Sequence, residues 1–188
     1  GVASLALHFC GAWGSEGYYT FSGLVDQAKA GLRFLASREF VDPKRLGVFG
    51  FSMGGWAALN LAARAPELKC CAAIAPVGGP EVVSEQTHAF VERLSRPLRV
   101  RSVRGLGDDF IDAVTRFDPA ESVARLDRPL LLIHGTEDPV VPVQISKRLA
   151  TLARPKPKLV LAKGARHDFL DRREWLTKLV TDWLRARL

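Results

Sequence analysis

Gly50-Phe51-Ser52-Met53-Gly54 is a GxSxG pentapeptide. It follows an apolar run, Leu46–Phe51, and opens an Ala- and Leu-rich segment that stops before Pro66. Alone, such a pentapeptide also occurs by chance as a glycine-lined helix start. Between a strand and a helix it has a specific meaning: the serine sits on a sharp, strained turn that lifts its hydroxyl clear of the sheet. Gly50 and Gly54 are expected to let strand and helix approach without a Cβ clash. The Met53 amide then points to where a developing oxyanion would be stabilised at a helix N-terminus. A serine hydroxyl is a weak nucleophile, so this chemistry requires a base, and an acid to orient the base.

The sequence holds four histidines. His8 lies in an apolar run before the serine, His88 in an irregular middle segment, and His134 at the end of Arg128–His134 (RPLLLIH). His167 sits in Gly164-Ala165-Arg166-His167-Asp168-Phe169, between the last strand and the last helix. A loop at a strand's carboxyl end can swing a ring over the serine, so His167 is read as the base. His134 is read as closing its strand by hydrogen bonding. Asp138 follows LLLIHG and precedes Pro139, which fixes the turn, so it is the preferred acid; Glu137 is its rival. Asp168 reads as a surface charge or loop cap. Trp13, Phe51 and Trp56 could line an apolar pocket, although a large aromatic near a nucleophile more often serves packing.

Alternating periodicities supply the elements that must position these residues. Val2–Phe9, Leu46–Phe51, Lys69–Ala75, Arg128–His134 and Lys158–Ala162 read as strands. Helical spacing runs over Ser22–Ser37, Gly54–Ala65 and Val143–Leu152. Trp175, Leu176, Leu179, Val180, Trp183 and Leu184 mark one face of a C-terminal helix. Strands apolar throughout and alternating with helices predict a parallel sheet covered on both faces. Residues 80–126 break the rhythm and predict a small helical cap inserted within a single domain spanning 1–188.

Composition narrows the classes. Of 188 residues, 47% are apolar and 25% charged, which excludes disorder and leaves enough apolar side chain for a core. No run is long and apolar enough for a membrane-spanning helix. No basic stretch precedes an apolar one at the start, so no leader is expected. Cys10, Cys70 and Cys71 form no disulfide or zinc pattern, and reduced thiols in a cytoplasmic protein are expected. Residues 145–188 carry 12 basic and four acidic side chains. No nucleic-acid motif accompanies them, so they read as a solvated helix face; Arg96–Arg104 reads as a loop rim. Neither a nucleic-acid nor a membrane partner is expected. Gly50 to Gly55 has nucleotide-loop spacing, but Trp56 stands where the phosphate-binding lysine should be. No cofactor or metal is expected.

GFSMGG, IHGTEDPVVP and GARHDF together resemble the nucleophile, acid and base segments of the α/β-hydrolase superfamily, nearest its prolyl-oligopeptidase and dienelactone-hydrolase-like branch. DPKRLGVFG resembles the approach to the nucleophile, and Ser52, Asp138, His167 follow the family's chain order. FCGAWGSEG resembles the family's turn after its fourth strand, with Cys10 and Phe9 in place of the usual arginine and tyrosine. The resemblance implies an α/β-hydrolase fold and acyl-enzyme chemistry on an ester or a peptide. An ester is the first choice and a peptide the alternative; a non-catalytic scaffold protein is a third reading. It also implies strands upstream of Val2, one of which lies beside the nucleophile-bearing strand and carries a second oxyanion donor. The chain is therefore expected to be an N-terminally truncated fragment, poorly soluble and nearly inactive alone. In that case Val2–Phe9 either pairs directly with Leu46–Phe51 or leaves a gap. A Phe9 or Cys10 amide is the alternative second donor.

Overall fold

The computed structural model describes residues 2–188. The central sheet has four parallel strands in the order β1 (Leu46–Phe51), β2 (Leu68–Ile74), β3 (Leu130–Gly135), β4 (Lys158–Ala162). Phe51 stands opposite Ile74, Ile74 opposite Ile133, and Gly135 opposite Ala162. All four strands therefore end along one edge, and Ser52, Asp138 and His167 follow three of those ends.

Alternation along the strands sorts side chains onto two faces. Cys71, Ala73, Leu130 and Leu132 face a layer containing α2 (Met53–Ala62), α5 (Pro119–Ala124) and α6 (Val143–Leu152), with Leu32 of α1 (Leu24–Ala36) at its margin. Cys70, Ala72, Ile74, Leu131 and Ile133 face α7 (Arg173–Arg185), which contributes Val180 and Trp183. Both faces are thus covered, as continuous apolar strands require. Trp175 does not join the α7 face; it is turned outward and exposed. Among the described residues no helix is long and apolar enough to cross a membrane.

The expected insertion divides in two. α3 (Thr87–Ser95) and α4 (Val103–Arg116) form the cap, packing Val91, Leu106, Phe110 and Val114 onto Phe21, Leu24 and Trp56. α5 instead lies in the sheet-covering layer, through Ala120 and Val123. A buried amide ties the pieces together. Asn60 Nδ2 donates to the carbonyls of Trp56 and Phe117, both at 3.0 Å, and Asn60 Oδ1 accepts from Ser122 Oγ at 2.8 Å. Asp109 Oδ2 accepts from the Phe21 amide at 2.6 Å, which fastens α4 to the entry of α1.

One expected strand is absent. Val2–Phe9 runs without ladder hydrogen bonds, although its sequence is strand-like. Its Leu5 and Leu7 lie over Gly31 of α1, not against β1. A cleft of about 340 Å³ separates this run from β1, with Leu5, Leu7 and Phe9 on one side and Val48, Phe49 and Gly50 on the other. Of the two arrangements open to the run, the chain adopts the gap. An apolar run becomes a strand only where a neighbouring backbone completes its hydrogen bonds. Here β1 keeps a free edge, and Phe49 on it is exposed.

Candidate active site

Ser52 occupies the junction of β1 and α2 with φ +53° and ψ −120°, a conformation that L residues rarely adopt. Three backbone bonds hold it there. Its amide donates to Ile74 O at 2.8 Å, and its carbonyl accepts from Trp56 N at 3.0 Å and Val77 N at 3.3 Å. A Cβ on Gly50 would lie 2.0 Å from Gly54 O, so only glycine fits where the strand turns back against the helix. The equal role expected for Gly54 is corrected: a Cβ there meets nothing within 4 Å, because that position faces the cleft. The second close approach belongs to Gly55, whose Cβ would touch Pro76 at 3.2 Å.

The acid and base loops are stitched to each other. Thr136 N donates to Ala162 O at 3.0 Å, Glu137 N to Ala165 O at 3.1 Å, and Gly164 N to Thr136 Oγ1 at 2.8 Å. They place His167 Nδ1 2.7 Å from Asp138 Oδ2 and His167 Nε2 3.0 Å from Ser52 Oγ. The Asp138 side chain is fully buried, while that of His167 keeps 16% exposure. Burial pushes the Asp138 carboxyl up, but the hydrogen bond from His167 and those from the Val141 and Val140 amides outweigh it. The net shift is downward, so Asp138 is ionised at neutral pH. The rival Glu137 is exposed and turned towards Gly164. Asp168 Oδ1 accepts from the Leu170 amide at 3.3 Å, a loop cap.

Met53 is the first residue of α2, and its amide therefore has no acceptor within the helix. The Cys10 amide is not available as a second donor: it donates to Gln27 Oε1 at 2.7 Å.

The three aromatic pocket candidates do not converge. Phe51 is 43% exposed, and its ring lies against His167, centroids 4.8 Å apart. Trp56 is completely buried beneath the cap, edge-on to Phe117 at 6.0 Å, so no substrate meets it. Trp13 is 80% exposed at a turn with φ +52°. The 340 Å³ cleft is not a substrate site either: Ser52, Asp138 and His167 are absent from its walls.

His134 makes a contact that its place in the sequence does not announce. His134, fully buried, has Nε2 3.2 Å from Asp138 Oδ2, 2.9 Å from Val141 O, and Nδ1 2.7 Å from Ser146 Oγ. The available signal was its position four residues before the acid, across a turn fixed by Pro139.

Comparison with known proteins places this geometry in a family. The chain is 30% identical over 191 residues to the lysophosphatidylserine lipase ABHD12 of Danio rerio, covering 93% of this chain and 48% of that protein. The chain spans about half the length of the curated relatives it matches. It superposes on the monoacylglycerol lipase of Paleococcus ferrophilus with a TM-score of 0.70 at 18% identity, covering 93% of this chain and 79% of that one. It also superposes on an esterase domain from Rhodothermus marinus with a TM-score of 0.65 at 25% identity, covering 87% and 69%. The first of these superpositions speaks for the α/β-hydrolase fold alone. The model of the prolyl oligopeptidase family matches residues 13–188, and on that match, over a four-stranded parallel sheet of α/β-hydrolase type, the chain belongs to the prolyl oligopeptidase family.

Proposed function

We propose that this chain carries the catalytic machinery of a serine hydrolase that cleaves carboxylic ester bonds through an acyl-enzyme on Ser52. The observation that supports this most is the continuous hydrogen-bonded line from Asp138 Oδ2 through His167 to Ser52 Oγ, with links of 2.7 and 3.0 Å. His167 Nε2 takes the hydroxyl proton as Ser52 Oγ bonds to the substrate carbonyl carbon. The Met53 amide faces the oxygen that gains charge. His167 then returns the proton to the departing alkoxide, and the tetrahedral centre collapses to the acyl-enzyme. Water, deprotonated by the same ring, attacks the acyl carbon; the acid is released and the Ser52 hydroxyl restored. Asp138 holds the ring with its Nδ1–H inward and stabilises the imidazolium.

Likeness to a lipase and to an esterase domain favours an ester as substrate. Peptide-bond cleavage is the second reading, favoured by the family match itself. Short-chain nitrophenyl esters assayed beside aminoacyl amides discriminate the two. Ester turnover that disappears in Ser52→Ala is the expected result; amide turnover exceeding it reverses the order. The unpaired thiols of Cys10, Cys70 and Cys71 favour a reducing, cytoplasmic setting.

A further inference from the structure

Asp138 accepts hydrogen bonds at both oxygens. Oδ1 takes the amides of Val140 at 2.8 Å and Val141 at 2.9 Å. Oδ2 takes His167 Nδ1 at 2.7 Å and also faces His134 Nε2 at 3.2 Å. His134 comes from β3 and is sealed from solvent by the turn after β3 on one side and Ser146 of α6 on the other. The two atoms facing its Nε2, Val141 O and a carboxylate oxygen, can only accept. Nε2 must therefore carry a proton, which it donates to Val141 O at 2.9 Å, with Asp138 Oδ2 lying 3.2 Å from the same nitrogen. Nδ1 of the neutral ring then accepts from the Ser146 hydroxyl, which locks the tautomer. Burial lowers the proton affinity of His134, against the opposing pull of the Val141 carbonyl and Asp138, which fits a neutral ring at working pH. The titratable groups facing it are Asp138 and, behind Asp138, His167.

We propose that His134 is a positioning residue for the triad acid: its Nε2–H dipole, held by Val141 O and lying 3.2 Å from Asp138 Oδ2, keeps the carboxylate turned towards His167 and offsets part of its negative charge. This rests on reading Ser52, Asp138 and His167 as the triad. The line of side chains then extends from Ser52 through His167, Asp138 and His134 to Ser146, crossing from the site to the helix layer. A carboxylate without this dipole beside it carries its full charge on the oxygen facing His167. It holds the imidazolium more tightly, so the base is freed only at higher pH.

The first test needs no turnover and leaves His134 itself unchanged. In protein labelled with 15N-histidine, titrated from about pH 5 to 9, His134 should remain neutral with Nε2 protonated. Its Nε2–H resonance should move along the titration of His167 and stop doing so in Asp138→Asn. A resonance that does not move, or moves equally in Asp138→Asn, overturns the proposal. The kinetic test uses His134→Leu and His134→Gln, since glutamine can still donate near the Nε2 position. His134→Leu should lower kcat about tenfold to a hundredfold at unchanged KM, and shift the acid limb of kcat/KM upward by about half to one pH unit. His134→Gln should recover most of both. On an Asp138→Asn background, His134→Leu should cost less than about threefold, because an effect exerted through Asp138 has nothing left to act on. An acid limb unmoved in His134→Leu, or an equal loss on both backgrounds, would make His134 merely structural. Failure of wild-type Ser52 to react with a fluorophosphonate would instead defeat the triad reading, and leaves the resonance test of the His134–Asp138 contact standing.

Discussion

The two motif glycines, equivalent in sequence, should respond oppositely to alanine. A methyl at Gly50 would lie 2.0 Å from Gly54 O, 2.3 Å from Gly54 C and 2.8 Å from Gly55 N. An ordinary carbon–oxygen contact is about 3.3 Å or longer, so strand and helix must part by about 1 Å. The obstacle is backbone, and no side-chain rotation relieves it. The Ser52 Oγ to His167 Nε2 distance is 3.0 Å, and a further ångström breaks that bond. A displacement of this size costs about 10²-fold in rate, and overpacking costs about 1–3 kcal/mol in stability. Gly54 lies in the first turn of α2 with open space beside it, so Gly54→Ala should be neutral or stabilise by up to about 1 kcal/mol. For a chain of this size the two variants should melt roughly 2–16 °C apart. Thermal unfolding by circular dichroism and nitrophenyl ester turnover read both effects. Full activity and an unchanged Tm in Gly50→Ala would refute the reasoning, as would damage from Gly54→Ala equal to that from Gly50→Ala.

Other expectations follow from the same geometry. Asp138→Asn should lower kcat about 10⁴-fold, whereas Glu137→Gln, exposed and turned away, should change it less than about threefold; steady-state kinetics that reverse the two would reassign the acid. His134 is held below the ordinary histidine value of 6.5, so its stability contribution is full above that pH and is lost as pH falls through it. Urea unfolding should therefore show stability falling between about pH 7 and 5 by up to about 1.4 kcal/mol per unit, with a shallower fall in His134→Gln. Asn60→Ala strands the Phe117 carbonyl and the Ser122 hydroxyl and should cost about 2–3 kcal/mol, measured by the same method. Phe49→Lys on the free edge of β1 should slow aggregation without lowering Tm, which light scattering can follow.

The residues of the candidate site were legible because each sits in a short local pattern. A strand end, a turn and a charged or nucleophilic side chain recur at Ser52, Asp138 and His167, and chain order supplied the rest. The strand rhythm was legible for the same reason: β2 and β3 are apolar at nearly every position. What failed depended on neighbours far away in sequence. Val2–Phe9 has strand composition, but a cleft lies between it and β1 and no ladder forms, so composition does not make it a strand. Gly54 differs from Gly50 only in what stands opposite it. Trp56, three residues into a helix that starts beside the serine, points beneath the cap and not towards the site, a choice set by Phe117 and the α4 residues. The link between His134 and Asp138 requires the turn to fold back over the strand end, which spacing alone permits without demanding.

On the proposed reading, Ser52 is a nucleophile activated by His167. This is tested most directly by treating the protein with a fluorophosphonate and mapping the adduct by mass spectrometry. A single adduct on Ser52 is expected, absent in Ser52→Ala and formed at least about a hundredfold more slowly in His167→Ala. No adduct, an adduct on another residue, or labelling at the same rate without His167 would contradict it.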